Sequence, residues 1–301
     1  MKLKIFNTLI ISSFLLVFLV VFITVKEVSI LNQYKTYKEE IAETLNFENR
    51  LFDAREYIGE IFSFFDSEDE KISEWGQLNN KANAKYTQAL KLGYLLYLIV
   101  FIYLIVNYFF YQNKGEKLRV LGIAFVFAAL SFLYLGLQTP FLELEAFSKN
   151  LTLTSGLFES VEKTFEGRTY YLYQNKSVFQ LIGLLFTGGN TLVGFALLLF
   201  SVIFPLIKLI STLLALTFPK HQWSKKSVNV INKLGKWSMA DVFVSSVFLA
   251  VFSFTNMNEG VDTSAQTLIG LYFFLTFVII SILSGVFLKL WIKHITLNPQ
   301  T

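Results

Sequence analysis

Two charged residues lie within apolar stretches of the sequence, and they are the residues most able to do chemistry. Lys208 falls in FSVIFPLIKLIS (200–211), and Asp241 falls in KWSMADVF (236–243), which runs directly into VSSVFLAVFSF. An ionised carboxylate in the hydrocarbon of a bilayer costs about 2.5–3.5 kcal/mol on insertion scales. An ammonium group on a neighbouring helix would offset that cost, so we predict a Lys208–Asp241 pair. Protonation of Asp241 would strand the ammonium in low dielectric, and the helices should then repack.

Hydroxyl groups follow the same helical faces as the two charges. Ser201 lies seven residues before Lys208, and Ser238 and Ser245 lie three residues before and four after Asp241. These spacings bring each set to one face of a helix. Proline removes a backbone donor and frees a carbonyl one turn earlier, so Pro205 predicts a kink beside Ser201. The predicted intramembrane polar network comprises Ser201, Lys208, Ser238, Asp241, Ser245 and Thr276, with Pro205 as the helix kink.

A purely structural interpretation of these residues is the alternative. Lys208 could extend its side chain to the headgroups, and Asp241 could cap the first turn of its helix. Serine and threonine are common where membrane helices pack together. Under that interpretation, removing either charge should leave function intact.

Composition places these residues in a polytopic membrane protein. Of the 301 residues, 54% are hydrophobic and 16% are charged, whereas soluble domains carry about 25% charged residues. A helix needs ~20 apolar residues to cross a bilayer. We therefore predict an all-α polytopic membrane protein with six transmembrane helices, at 5–25, 92–111, 118–138, 190–217, 237–256 and 266–290.

Lysine and arginine determine the predicted orientation. With both termini in the cytoplasm, every short cytoplasmic segment is basic, in accordance with the positive-inside rule. The residues concerned are Lys2, Lys4, Lys114, Lys117, Arg119, Lys220, Lys225, Lys226, Lys233, Lys236, Lys289 and Lys293. The segments 26–91, 139–189 and 257–265, which hold nearly all the acidic residues, then face outward.

The two longer outward segments have different patterns. In 26–91, apolar residues recur every three or four positions, which predicts a helical hairpin above the first two spans. In 139–189, Leu142 and Leu144 alternate with glutamates, and GRTYYLYQNKSV (167–178) is rich in β-formers; we predict that these pieces pair as a small sheet. Between them, 151–165 reads as an amphipathic helix. SVFQLIGLLF (177–186) is too short to span and predicts an interfacial helix.

The sequence offers little for other chemistries. There is no cysteine and there are only two histidines, so we expect no metal site and no cofactor. No nucleotide-binding glycine loop and no catalytic arrangement of carboxylates appears, so we expect no catalytic residues and no enzyme activity. The net charge of +4 follows from membrane topology and does not indicate nucleic acid as a partner.

At Lys208 and Asp241 the chain resembles the paraquat-inducible protein A family of bacterial inner-membrane proteins. The resemblance rests on FSVIFPLIKL (200–209) and KWSMADVF, in that order with a basic loop between them, and on LGLQTPFLELEAF (135–147). It covers roughly 118–292. The chain differs from well-known members in lacking cysteine for zinc ribbons, in having one four-helix unit, and in its N-terminal span pair.

The resemblance implies both a fold and a function. Residues 118–301 would form a tetraspanin-like or claudin-like four-helix unit, with 139–189 as a small extracytoplasmic domain; residues 1–117 would be a separate helix pair with the 26–91 hairpin. Family members work beside MCE (mammalian cell entry) proteins, which form lipid-conducting tunnels. The expected partners are therefore membrane phospholipids and an MCE-type periplasmic protein, with the polar network as a proton path. An accessory or scaffolding protein of the envelope or its stress response is the alternative.

Overall fold

The computed structural model describes residues 2–48, 67–111, 113–154, 162–218 and 261–297. Within them the chain is mostly helical, with one small sheet. The elements in order are α1 (Lys2–Thr44), α2 (Ser67–Phe110), α3 (Lys114–Gln138), β1 (Pro140–Thr154), β2 (Glu162–Ser177), α4 (Val178–Thr187), α5 (Thr191–Leu198), a π-helix (Leu199–Ile203), α6 (Phe204–Thr217), β3 (Asp262–Thr267) and α7 (Ile269–Leu297).

Five helical stretches of the described chain are long and apolar enough to cross a membrane. They are Ile11–Thr44, Trp75–Phe110, Gly115–Gln138, Thr191–Thr217 and Ile269–Ile295. These stretches overlap five of the six predicted spans. The remaining predicted span, 237–256, lies outside the described residues, as do Ser238, Asp241 and Ser245 within it.

Helices α1 and α2 form a long pair that extends beyond a bilayer. They contain 43 and 44 residues, so each is about 65 Å long at 1.5 Å per residue, against a hydrocarbon thickness of ~30 Å. From Ser13 to Tyr34, spacings of three and four residues separate the buried positions on α1, which are Ser13, Leu16, Val20, Thr24, Glu27, Leu31 and Tyr34. That average of 3.5 residues is the coiled-coil period, and it continues without interruption from the apolar half of α1 into its polar half.

Helix α3 is the central helix of the described bundle, with α1, α2, α6 and α7 all packed against it. Its closest partner is α7, which approaches it through glycine. A Cβ added at Gly136 would lie 2.8 Å from the backbone nitrogen of Phe274. No side chain separates the two backbones there. This close contact holds α3 and α7 together at the end of the bundle where the sheet begins.

The sheet has the strand order β2–β1–β3, and both pairings are antiparallel. The two predicted strands pair as expected, with Glu143 opposite Asn175 and Leu144 opposite Gln174. The predicted helix at 151–165 is wrong for its described residues, because 151–154 and 162–165 continue β1 and β2. Leucine and threonine alternate in 151–154, and that two-residue period fits a strand. Strand β3 was not predicted.

Helix α4 confirms the short apolar helix predicted at 177–186. Ser177 and Gln180 form a reciprocal capping box at its first turn, which satisfies two otherwise unpaired backbone donors. Val178 and Ile182 are buried, whereas Leu184 and other apolar side chains remain exposed. One buried apolar face and one exposed apolar face suit a helix that lies in a membrane interface.

Candidate functional site

A π-helix (Leu199–Ile203) ends two residues before Pro205, the position of the predicted kink. The N–H of Phe204 donates to the carbonyl of Leu199, five residues back. In a regular α-helix the ring of Pro205 would clash with the carbonyl of Ser201, and the wider π turn relieves this contact. The Ser201 hydroxyl is buried and donates to the Leu197 carbonyl of its own helix.

Lys208 lies in α6, one turn beyond the proline, and is partly exposed. Its carbonyl accepts a hydrogen bond from the Thr212 hydroxyl at 2.8 Å. Asp241, Ser238 and Ser245 lie outside the described residues, so the predicted ion pair stays a prediction.

Thr276 has its described partners on α2 and α7. Its hydroxyl is 2.9 Å from the Tyr97 hydroxyl of α2 and donates to the Tyr272 carbonyl at 2.8 Å. Tyr97 also packs against Phe132 of α3 and Phe273 of α7. The structure therefore brings Thr276 together with the N-terminal helix pair, a contact that the sequence analysis did not predict.

Glu27 is a second intramembrane candidate that the sequence analysis missed. Its side chain is 0% exposed, and neither carboxylate oxygen has a hydrogen-bond partner among the described residues. Gly93 of α2 lies against it, because a Cβ at that position would be 3.3 Å from Glu27 Oε1 and 3.2 Å from the Phe273 ring. The 3.5-residue period of α1 predicts this burial, since Glu27 falls in phase with Val20 and Leu31.

A polar cavity of about 290 Å³ separates the sheet from the helix pair. The buried carboxylate of Glu143 accepts hydrogen bonds from Tyr34 at 2.6 Å, Tyr173 at 3.1 Å and Asn175 at 3.3 Å. Burial raises the pKa of Glu143, while the Tyr34 hydrogen bond and the charge of Lys38 act in the opposite direction. Three neutral donors around one carboxylate make this a structural junction between α1 and the sheet.

Glu145, two residues further along β1, faces the same cavity. Lys38 of α1 and Arg168 of β2 each lie 3.7 Å from one of its carboxylate oxygens. The Glu145 carboxylate therefore pairs with one residue of the helix pair and one of the sheet. These ion pairs add to the contact that Glu143 makes between α1 and the sheet.

A smaller groove of about 150 Å³ lies where the sheet meets α4. Its walls are largely apolar, and the lining residues are Phe141, Leu142, Leu144, Gln174, Lys176, Ser177, Val178 and Leu181. The groove opens directly after α3 ends and at the start of α4, so it sits at the boundary between the membrane-spanning helices and the sheet.

Lys176 lines this groove, and Lys35 of α1 interacts with it. Lys35 of α1 is mostly buried and lies 3.7 Å from Glu39. Burial lowers the pKa of Lys35; Glu39 raises it, and the neighbouring Lys176 ammonium lowers it further. Two ammonium groups held beside one carboxylate leave an excess positive charge, which suits a phosphate or another anion.

Membrane-spanning helices that carry a small antiparallel sheet at one end define a multi-pass membrane protein. Within that class, the family model of paraquat-inducible protein A matches residues 163–291, and over those residues the chain is similar to this family. The match confirms the resemblance predicted from Lys208, Asp241 and their surroundings. It begins in β2, later than the predicted start at 118, so α1, α2, α3 and β1 precede it. Comparison with curated proteins and with solved structures gives no match.

Proposed function

We propose that this protein is a non-enzymatic component of lipid transfer in the bacterial inner membrane. It would load phospholipids into, or unload them from, a periplasmic carrier or an MCE-type tunnel. Both termini are then cytoplasmic, and the sheet and the outer part of the α1–α2 pair are periplasmic. The observation that carries the proposal is the apolar groove between the sheet and α4, which Lys176 lines with Lys35 beside that lysine.

The chemistry of the groove matches the two ends of a phospholipid. Phosphate oxygens bind ammonium groups through charge-assisted hydrogen bonds, and Lys35 and Lys176 offer two such groups side by side. Apolar side chains such as Phe141 and Leu181 line the adjoining space, which suits the first part of an acyl chain. Since the groove is small, it would hold part of a lipid while the rest stays accessible to a carrier.

Proton coupling through the predicted polar network is part of this proposal. Ser201 lies in the π-helix and Lys208 in α6 just beyond it, and π-bulges occur frequently at functional sites. At the π turn, the backbone N–H groups of the helix can change the carbonyls to which they donate. Protonation of Asp241 would release Lys208 from its predicted partner, and repacking at this turn would carry that change toward the sheet.

An accessory or scaffolding role in envelope integrity or stress response is the second candidate. The α1–α2 pair favours it, because about 65 Å of coiled-coil-like helix exceeds what a bilayer requires. The outer part of the pair, in tetraspanin-like fashion, would then bind a partner protein. In that case, replacing Lys35 and Lys176 should not change the rate of lipid transfer.

The test is lipid transfer from vesicles that contain the purified protein. Donor vesicles would hold a fluorescent phospholipid, with a lipid-binding acceptor outside, and the double variant Lys35→Gln/Lys176→Gln would be compared with Lys81→Gln. Lys81 is exposed on α2, so its variant controls for loss of charge. We expect a several-fold slower transfer in the double variant alone, with the lipid recovered intact. Wild-type transfer no faster than in protein-free vesicles would overturn the proposal.

A further inference from the structure

Glu27 stands out among the buried groups that the proposed lipid groove does not use. It lies on the side of α1 that packs against α2, close to Ile269 and Phe273 of α7, and it is 0% exposed. Both carboxylate oxygens lack a hydrogen-bond partner among the described residues. This contrasts with Glu143, whose carboxylate accepts three hydrogen bonds.

The surroundings of Glu27 do not suit an ionised carboxylate. A Cβ at Gly93 would lie 2.5 Å from Ile269, 3.2 Å from the Phe273 ring and 3.3 Å from Glu27 Oε1. Apolar side chains of α7 therefore lie close to this carboxylate. The adjacent Lys26 is exposed and lies over the Phe22 ring at 4.9 Å. Burying a carboxylate without compensation costs far more than burying its neutral form, so such groups take up a proton.

A proton fits this site better than a metal ion. Hard cations require several oxygen ligands, whereas α7 presents Ile269 and Phe273 on the side of Glu27. The titratable group that faces it from α2 is the Tyr97 phenol, which lies within electrostatic reach of the carboxyl. Tyr97 in turn is bonded to Thr276 of α7.

We propose that Glu27 is a proton-binding site, neutral while the α1–α2 pair is packed against α7. The Tyr97–Thr276 bond joins α2 to α7 beside it. Separation of the helix pair from α7 would admit water and favour ionisation, so proton release and helix separation are linked. This inference concerns α1 and α2, which precede the family match, and it holds whether or not the protein transfers lipid.

Infrared spectroscopy of the purified protein tests the protonation state directly. The difference spectrum between wild type and Glu27→Gln at neutral pH should contain a carboxylic-acid C=O band that shifts in D₂O. Glu40→Gln, at an exposed position on the same helix, should remove only carboxylate bands. A carboxylate band in the Glu27 difference spectrum at neutral pH would overturn the proposal.

Thermal stability against pH is the second measurement. A carboxyl group that is neutral in the folded protein takes up a proton on folding at any pH above ~4.3, its ordinary unfolded value. Wild type should therefore lose stability relative to Glu27→Gln as pH rises, by up to about tenfold in the folding constant per pH unit. Parallel curves would contradict the proposal. Failure of both Glu27→Gln and Glu27→Met to accumulate would also do so, because the site would then reject a neutral side chain.

Discussion

Two buried glutamates, in different surroundings, define the polar chemistry that the structure describes. Glu143 is held by three neutral donors, and Lys38 adds a favourable charge. Glu27 has an apolar environment and no described hydrogen-bond partner. The same side chain therefore serves as a hydrogen-bonding centre in one place and as a proposed proton site in the other, because its environment decides which form is stable.

The Tyr34–Glu143 hydrogen bond should be a main contribution to docking of the sheet on α1. Its O–O distance is 2.6 Å, and both residues are buried. Tyr34→Phe should cost about 1.5–3 kcal/mol, the range for hydrogen bonds to charged groups, and thermal unfolding of the detergent-solubilised protein would measure it. Tyr37→Phe, on the same helix but without a described side-chain hydrogen bond, should change stability little. Equal effects of the two substitutions would show that the hydrogen bond does not hold the junction.

The sequence identified charged residues only where they interrupt an apolar stretch. Lys208 and Asp241 stand out in this way, whereas Glu27 falls just beyond the end of the first predicted span, at 5–25, and only its helical phase indicates burial. Alternation along β1 also predicted a polar face on the glutamate side. Glu143 and Glu145 are instead more buried than Leu142 and Leu144, because α1 covers that face and supplies Tyr34 and Lys38, which no local pattern reveals.

At the scale of elements, helices were predictable and the outer parts of the sheet were not. Five predicted spans overlap the membrane-spanning helices because length and hydrophobicity alone define them. Residues 151–154 and 162–165 are strands because each extends an antiparallel pair already begun nearer the membrane. β3 has the sequence DTSAQT, in which the two threonines are the residues that favour a strand. It becomes a strand because β1 offers it a free edge, from Leu142 opposite Thr267 to Phe147 opposite Asp262.

Gly270 should be indispensable where α7 leaves the sheet. A Cβ at this position would lie 2.5 Å from the Pro140 carbonyl oxygen and 2.6 Å from that of Thr139. Backbone atoms cannot yield as a side chain can, so Gly270→Ala should cost at least about 1–3 kcal/mol, the usual penalty for overpacking. Gly285→Ala on the same helix has no described atom within 4 Å and should be neutral or slightly stabilising. Comparable melting temperatures for the two variants would refute the close contact.

At the scale of the molecule, the chain joins two helical parts through one sheet. The family match covers β2 through most of α7, while α1 and α2 come before it. The two parts meet at Glu143 beside the sheet and at the Tyr97–Thr276 bond between the helices. Because the first contact is buried and the second partly buried, movement of the α1–α2 pair should be transmitted to the region of the family match.

The predicted Lys208–Asp241 pair would join two spans within the region of the family match. Its loss should therefore affect the whole molecule and, through it, the cell envelope. If the two residues act together, Lys208→Ala and Asp241→Asn should produce the same envelope-permeability defect, and the double variant should be no worse than either single variant. Growth in the presence of a detergent or a large antibiotic would measure this, with immunoblots to establish normal accumulation. Lys289→Ala, which removes an exposed lysine from α7, provides the control. Wild-type permeability in both single variants would support the structural interpretation of these charges. Additive defects in the double variant would show that the two residues act separately.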